Sequence, residues 1–312
     1  MANQPHGAIP HPTPDQLVDA LNGVFGRQTD NRAVHAKGIV LEGSFMPDPS
    51  ASSLSRAPHL QKTIVPLTVR FSDFAGVPNI PDTDPNATPR GMALKFHLPD
   101  GAETDIVAHS FNGFPSKTSV DFRLLLNAVA ASGPNAPAPK PLDLFFAQHP
   151  EARAFFAGLP PPPVSYATLP YFGVNSFTFI NAEGRATVGR YRIEPLAGVH
   201  FLDAEQIAAA QSDYLIHEIG HRVAEDPVRF RLVAQIAGED DVIEDPSIAW
   251  PDSREKVDLG EIVITRVVDD STKAQRQLMF TPTNLTPGIE PADPMIQDRG
   301  DAYPVSYQRR HG

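Results

Sequence analysis

Three groups of residues in this 312-residue chain have types and spacings that could do chemistry. The first is His217, Glu218 and His221 in "YLIHEIGHRVAED" (214–226), an H-E-x-x-H pattern. Residues four apart share a helix face, so two imidazoles could grip zinc while the carboxylate activates a water. A hydrolytic zinc needs a third protein ligand. The longer pattern that supplies one fails, because Ala224 stands where a glycine belongs and Pro227 where a third histidine belongs. Glu239 and Glu244 follow, but "AGEDD" reads as a loop rather than a second ligand helix. The motif is therefore suggestive only, and polar residues on a solvated helix face explain it as well.

The second group is Arg299 and Tyr303, an Arg-x-x-x-Tyr pair at helical spacing, which sets guanidinium beside phenol. A tyrosine is a poor ligand until it ionises, and its reference pKa is near 10. A neighbouring cation favours the phenolate, and a phenolate can bind ferric haem iron. The third group is spread over two stretches. In "NRAVHAKG" (31–38), Arg32 precedes His35 by three, just ahead of a strand-like run. In "LTVRFSDFAGVPNIPDT" (67–83), Arg70 and Ser72 alternate along a strand and so share a face.

The elements that must position these residues are mostly strands. "GIVLEGSF" (38–45), "IVPLTVRFS" (64–72), "RGMALKFHL" (90–98) and "ETDIVAHSF" (103–111) are β-rich and bounded by turn residues. "SFTFINAEGRATVGRYRIEP" (176–195) reads as a hairpin whose turn has Gly184 at a site suited to positive φ. "LGEIVITRVV" (259–268) is a late strand. Helices are predicted at 14–26, with Leu17, Ala20, Leu21 and Phe25 on one face, and at 119–132, 203–226 and 227–238. Strands first and helices later imply an α+β protein on an antiparallel sheet or barrel. The pattern does not fix the strand order.

Composition narrows the classes. A net charge of −11 disfavours nucleic acid and anionic membrane surfaces. The chain has no cysteine, which removes disulfides, thiolate catalysis and cysteine-ligated metals. "MANQPHGAIPHPTPDQ" holds no apolar core of a signal peptide, and no apolar run is long enough to span a bilayer, so the expectation is a cytoplasmic protein. The 33 prolines cluster in "GPNAPAPKP" (133–141) and "LPPPP" (159–163), which read as stiff loops.

Taken together, "RAVHAKG", "VRFS", "FTFINAEG", "LGEIVITRV" and "PGIEPADPMIQDRGDAYP" resemble the haem-catalase family, in order and from about residue 30 to the C-terminus. The chain lacks the long N-terminal arm of full-size members and stops just after the tyrosine motif, as in the short branch of catalase-related peroxidases. The resemblance implies an antiparallel catalase-type β-barrel with surrounding helices. It implies an N-terminal segment over 1–30 and a single haem domain over 31–312, with the barrel at about 31–200 and a helical and C-terminal part at about 201–312. In this layout 214–226 is a peripheral helix away from the haem.

The resemblance also implies roles. His35 is the distal acid–base residue, Ser72 fixes its ring, and Val34 narrows the approach to the iron. Tyr303 is the axial ligand of a haem b iron and Arg299 holds it as the phenolate. Arg32, Arg70 and Arg310 pair with haem propionates, since carboxylates in a dry pocket need cations. Phe122 stacks on the porphyrin, with Phe114 in the same stretch. One departure stands out. Family members carry a distal asparagine where "DIVAHSFNGFP" has His109, and Asn112 lies three residues on. Without that asparagine the implied reaction is a peroxidase, reducing hydrogen peroxide or organic hydroperoxides with a small organic donor and showing weak catalase activity. The alternatives are a true catalase, a haem enzyme that converts fatty-acid hydroperoxides, and a non-enzymatic haem store. A homo-oligomer is compatible with all of them.

Overall fold

The fold, taken from a computed structural model, is described for residues 10–312. The first nine residues of the N-terminal stretch read above for a signal segment lie outside the described residues. Among the described residues no helix is long and apolar enough to cross a membrane.

The chain opens with helix α1 (Pro14–Phe25), started by Thr13 and Gln16 in a reciprocal capping box, with Pro14 in the first turn. Gly26 ends it at φ +77°, a conformation that costs glycine little. Then come β1 (Gly38–Pro47), the short α2 (Ala51–Leu54), β2 (Val65–Ser72), β3 (Gly91–His97) and β4 (Glu103–His109). These four strands pair in sequence as an antiparallel meander. A helical insertion follows: α3 (Ser119–Ala130), α4 (Pro141–Gln148) and α5 (Pro150–Ala157). The chain returns through β5 (Tyr171–Phe172), β6 (Phe177–Ile180) and β7 (Ala186–Pro195), passes α6 (Ala204–Ala209) and α7 (Tyr214–Glu225), and adds β8 (Val228–Ile236) and β9 (Lys256–Val267). It ends with α8 (Ser271–Gln277), β10 (Ile289–Pro291) and α9 (Met295–Arg309).

The sheet order β7-β5-β4-β3-β2-β1-β9-β8 closes on itself, because β8 also pairs with β7. This is the expected antiparallel barrel, here of eight strands, with β6 attached outside the ring at β7 and β10 at β6. Closure leaves no free edge, and the interior is filled by side chains such as Phe71, Phe96, Tyr171 and Phe230. The Phe71 and Tyr166 rings stack at 5.2 Å.

The predicted helix at 227–238 is wrong: Val228–Ile236 is strand β8. Val228, Phe230 and Leu232 are buried while Arg229 and Arg231 are exposed, the period-2 pattern of a strand with one face on the core. Two ladders, to β7 and β9, then override the helical reading. The barrel is therefore not confined to 31–200, since β8 and β9 complete it. The predicted helix at 203–226 is broken into α6 and α7. The carbonyl of Ser212 accepts from the Asp82 amide and the Lys37 ammonium at 2.8 and 2.9 Å, so the chain between the helices is held by the barrel side. The other strands, the α1 and α3 helices and the 176–195 hairpin fall where the pattern puts them, with Gly184 at φ +80°.

Candidate active site

A cavity of about 810 Å³ lies between the barrel wall and helices α1, α3 and α9. Every residue to which the resemblance assigns a role lines it: Arg32, Val34, His35, Arg70, Ser72, Phe122, Arg299, Tyr303 and Arg310, together with Phe114 and His109. Helix α1 contributes Leu17, Val18, Leu21 and Phe25 to one wall of the cavity.

His35 reaches the cavity because its backbone is left-handed, at φ +56°. For a non-glycine residue that conformation is costly and persists only when its surroundings fix it. Here its N–H donates to the Phe74 carbonyl at 2.7 Å and its own carbonyl accepts from Arg70 Nη2 at 2.9 Å. The Ser72 hydroxyl lies 3.1 Å from Nδ1 of the ring. Burial, then the Arg70 charge, push the imidazole down to about 3, so it is neutral at ordinary pH. The room for the ring comes from Gly91, where an added Cβ would lie 2.6 Å from Ser72 Oγ and 2.9 Å from His35 Nδ1. Nothing in the sequence reading singled out Gly91. Its only signal was a glycine opening a strand, next to an arginine.

His109 ends β4 and pairs with Gly91 in the ladder. Among the described residues neither of its ring nitrogens has a hydrogen-bond partner, and burial pushes it down to about 3. Asn112 does not line the cavity. Its Oδ1 accepts from Arg192 Nη1 at 2.6 Å. His109, not Asn112, thus stands on the cavity wall.

From the other side α9 brings Arg299 and Tyr303 on one face, four residues apart. Arg299 Nη2 donates to the Tyr303 oxygen at 3.3 Å. Arg299 Nη1 donates to Asn175 Oδ1, and Asn175 Nδ2 donates to Asp293 at 2.7 Å. This chain of bonds, in which Asn175 and Asp293 orient Arg299, was not anticipated. Asn175 sits two residues before the quoted "FTFINAEG" and Asp293 within the tyrosine motif. Gly300 lets α9 pack closely on Thr283.

Arg32, Arg70 and Arg310 converge at one end of the cavity; burial first, then the charges of Arg70 and Arg310, lower Arg32, and burial first, with the Arg310 charge adding, lowers Arg70. Among the described residues their hydrogen bonds go to neutral acceptors, not carboxylates: the carbonyls of His35, Ala36, Arg276 and Leu278 and the Gln275 amide.

The H-E-x-x-H helix, α7, lies outside this site. Leu215, Ile219 and Val223 face the core, and Glu218 is in an ion pair with Arg222 at 2.6 Å. Among the described residues no group of three histidine, aspartate or glutamate side chains could hold a metal ion.

A family model described as catalase matches residues 15–312. The chain belongs to the catalase family. A catalase-related peroxidase of Mycolicibacterium paratuberculosis is 37% identical over 96% of this chain and 95% of that protein. One of Synechococcus elongatus is 31% identical over 96% of this chain and 88% of that protein. Catalase-2 of Bacillus subtilis is 29% identical over 87% of this chain, which spans only 42% of that larger catalase. Catalases hold haem through a tyrosine. The residues present fit that group on three counts. The cavity has room for it, the clustered arginines bond only neutral acceptors among the described residues and so suit carboxylates, and a tyrosine bonded to arginine lines the same space as a half-buried, neutral histidine.

Proposed function

We propose that this chain is a haem b peroxidase that reduces peroxides at the expense of organic one-electron donors. The observation that carries the reading is the meeting of His35 and Tyr303 in one buried cavity, each supported by its own polar partner. Bound haem would supply the redox centre that splits the O–O bond and holds the two oxidising equivalents. Tyr303 would hold its iron through the phenol oxygen, to which Arg299 Nη2 donates at 3.3 Å. Arg32, Arg70 and Arg310 would hold the propionates, while Val34, Phe114 and Phe122 enclose the ring with apolar surface.

His35 carries the proton work. Being neutral, it can take the proton from the near oxygen of a peroxide and deliver it to the far oxygen as that leaves. The Ser72 hydroxyl at Nδ1 leaves Nε2 for this task. Catalytic dismutation requires a second peroxide to be oriented beside His35. His109 offers an imidazole there instead of an amide, with neither nitrogen bonded among the described residues. Oxidation of other donors is therefore the favoured second half of the cycle.

The test is reconstitution. The purified protein titrated with haem should bind one equivalent and give a high-spin ferric spectrum. With peroxide it should oxidise a phenolic donor and release little oxygen. Rapid oxygen release with no donor oxidation would make it a true catalase, and failure to bind haem would end the reading.

A further inference from the structure

Peroxide reduction consumes two electrons, and the chain has few side chains able to pass them. It has no cysteine, one tryptophan and six tyrosines. Trp250 is buried, with its N–H bonded to the Val242 carbonyl. Tyr166, Tyr171 and Tyr191 are buried in the barrel, where desolvation resists loss of the phenolic proton. Tyr214 is half-buried and donates to the Pro163 carbonyl at 2.6 Å, and burial acts on it in the same sense. Tyr303 lines the cavity. That leaves Tyr307, one helical turn beyond Tyr303 on the same face of α9, about 6 Å away between Cβ atoms.

Tyr307 is half-exposed and is not part of the cavity wall. Arg310 joins the two places, because it lines the cavity and its guanidinium lies 4.6 Å from the Tyr307 ring centroid. The His311 ring lies 4.3 Å from the Tyr307 ring, centroid to centroid, and the phenol donates to the Gln277 carbonyl at 3.3 Å. The ring is therefore fixed, in contact with a cavity residue, and open to solvent at its edge.

We propose that Tyr307 is a surface oxidation site for phenolic donors too bulky to enter the cavity. The inference rests on the peroxidase reading, which supplies the oxidant. Each peroxide takes two electrons and two protons overall. Tyr307 passes one electron inward and releases its phenolic proton to solvent, becoming a neutral radical. The Arg310 cation disfavours a ring cation, so electron and proton must leave together. A donor phenol at the surface then returns one electron and one proton to Tyr307 and departs as a phenoxyl radical. Two such cycles consume one peroxide.

The test uses the haem-loaded protein and its Tyr307→Phe variant. One equivalent of peroxide without donor should give a tyrosyl signal by electron paramagnetic resonance, and the variant should lose it. The wild type should oxidise both free tyramine and tyramine coupled to a large dextran. In the variant, oxidation of the coupled form relative to free tyramine should fall tenfold or more. A tyrosyl signal that persists in the variant, or an unchanged ratio, overturns the inference. A wild type that oxidises free tyramine but gives no tyrosyl signal also overturns it while leaving the peroxidase reading intact. Loss of peroxide reactivity altogether would remove both.

Discussion

Arg32 and Arg310 donate to the same carbonyl oxygen, that of Leu278, at 2.8 and 2.7 Å, although they lie at opposite ends of the chain. Two guanidinium groups held this close repel, and Arg70 adds a third charge. The cluster is stable only because the fold imposes it, and an anion bound there would relieve it. Arg32→Gln should therefore weaken haem binding tenfold to a hundredfold, on the order of 1.5–3 kcal/mol for a lost hydrogen bond to a charged group. The same change should raise the thermal stability of the haem-free protein slightly. Haem titration followed by absorbance, with a melting curve of the haem-free form, checks both. Unaltered haem affinity would remove the arginines from propionate binding.

Gly91→Ala tests the seat of His35. The added carbon would crowd Ser72 Oγ and the imidazole, so the ring must turn away. Haem binding should survive while the reaction with peroxide slows by about tenfold to a hundredfold, part of the worth of a positioned acid–base group. Stopped-flow absorbance separates the two effects.

Tyr303→Phe removes only the oxygen bonded by Arg299. Haem content should fall sharply while the protein stays folded. Full haem occupancy with an unchanged spectrum would show that the iron is held elsewhere.

His109→Asn restores an amide donor on the cavity wall. The expected result is more oxygen released per peroxide and less phenol oxidised, read on an oxygen electrode with and without donor. No change in that ratio would mean that His109 does not face the second peroxide.

His59 gives a pH-dependent prediction independent of haem. It is buried against Phe96 at 4.6 Å with neither nitrogen bonded among the described residues, and burial pushes it down to about 3. Because the folded state resists protonation, stability is fully present above the unfolded value near 6.5 and is lost as pH falls from there toward 3. Between pH 6.5 and 5 the loss from this residue is about 1.6 kcal/mol. His59→Leu should remove that part of the acid sensitivity, measured as the denaturant midpoint at the two pH values.

The sequence alone determined the local and collinear features. Runs of β-favouring residues bounded by turn residues placed β1 to β4 and the 176–195 hairpin, and a like run placed β9, because such side chains fit a pleated, packed surface. Spacing placed Arg299 beside Tyr303, since four residues on a helix make a neighbour whatever the fold. Motif order identified the family, and with it His35, Ser72 and the three arginines. The tertiary structure decided what depends on partners distant in the chain. "PVRFRLVAQIAG" has helix-compatible residues, and only the ladders to β7 and β9 make Val228–Ile236 a strand that closes the barrel. The cut between α6 and α7 depends on Lys37 and Asp82, more than a hundred residues away. Gly91 matters because the His35 ring lies over it, and Asn175 and Asp293 matter because they reach Arg299. The sequence put His109 at the asparagine position with Asn112 three residues on as the lesser candidate, and the bond from Arg192 to Asn112 draws the asparagine away from the cavity. In each case the deciding interaction joins residues that no local pattern brings together.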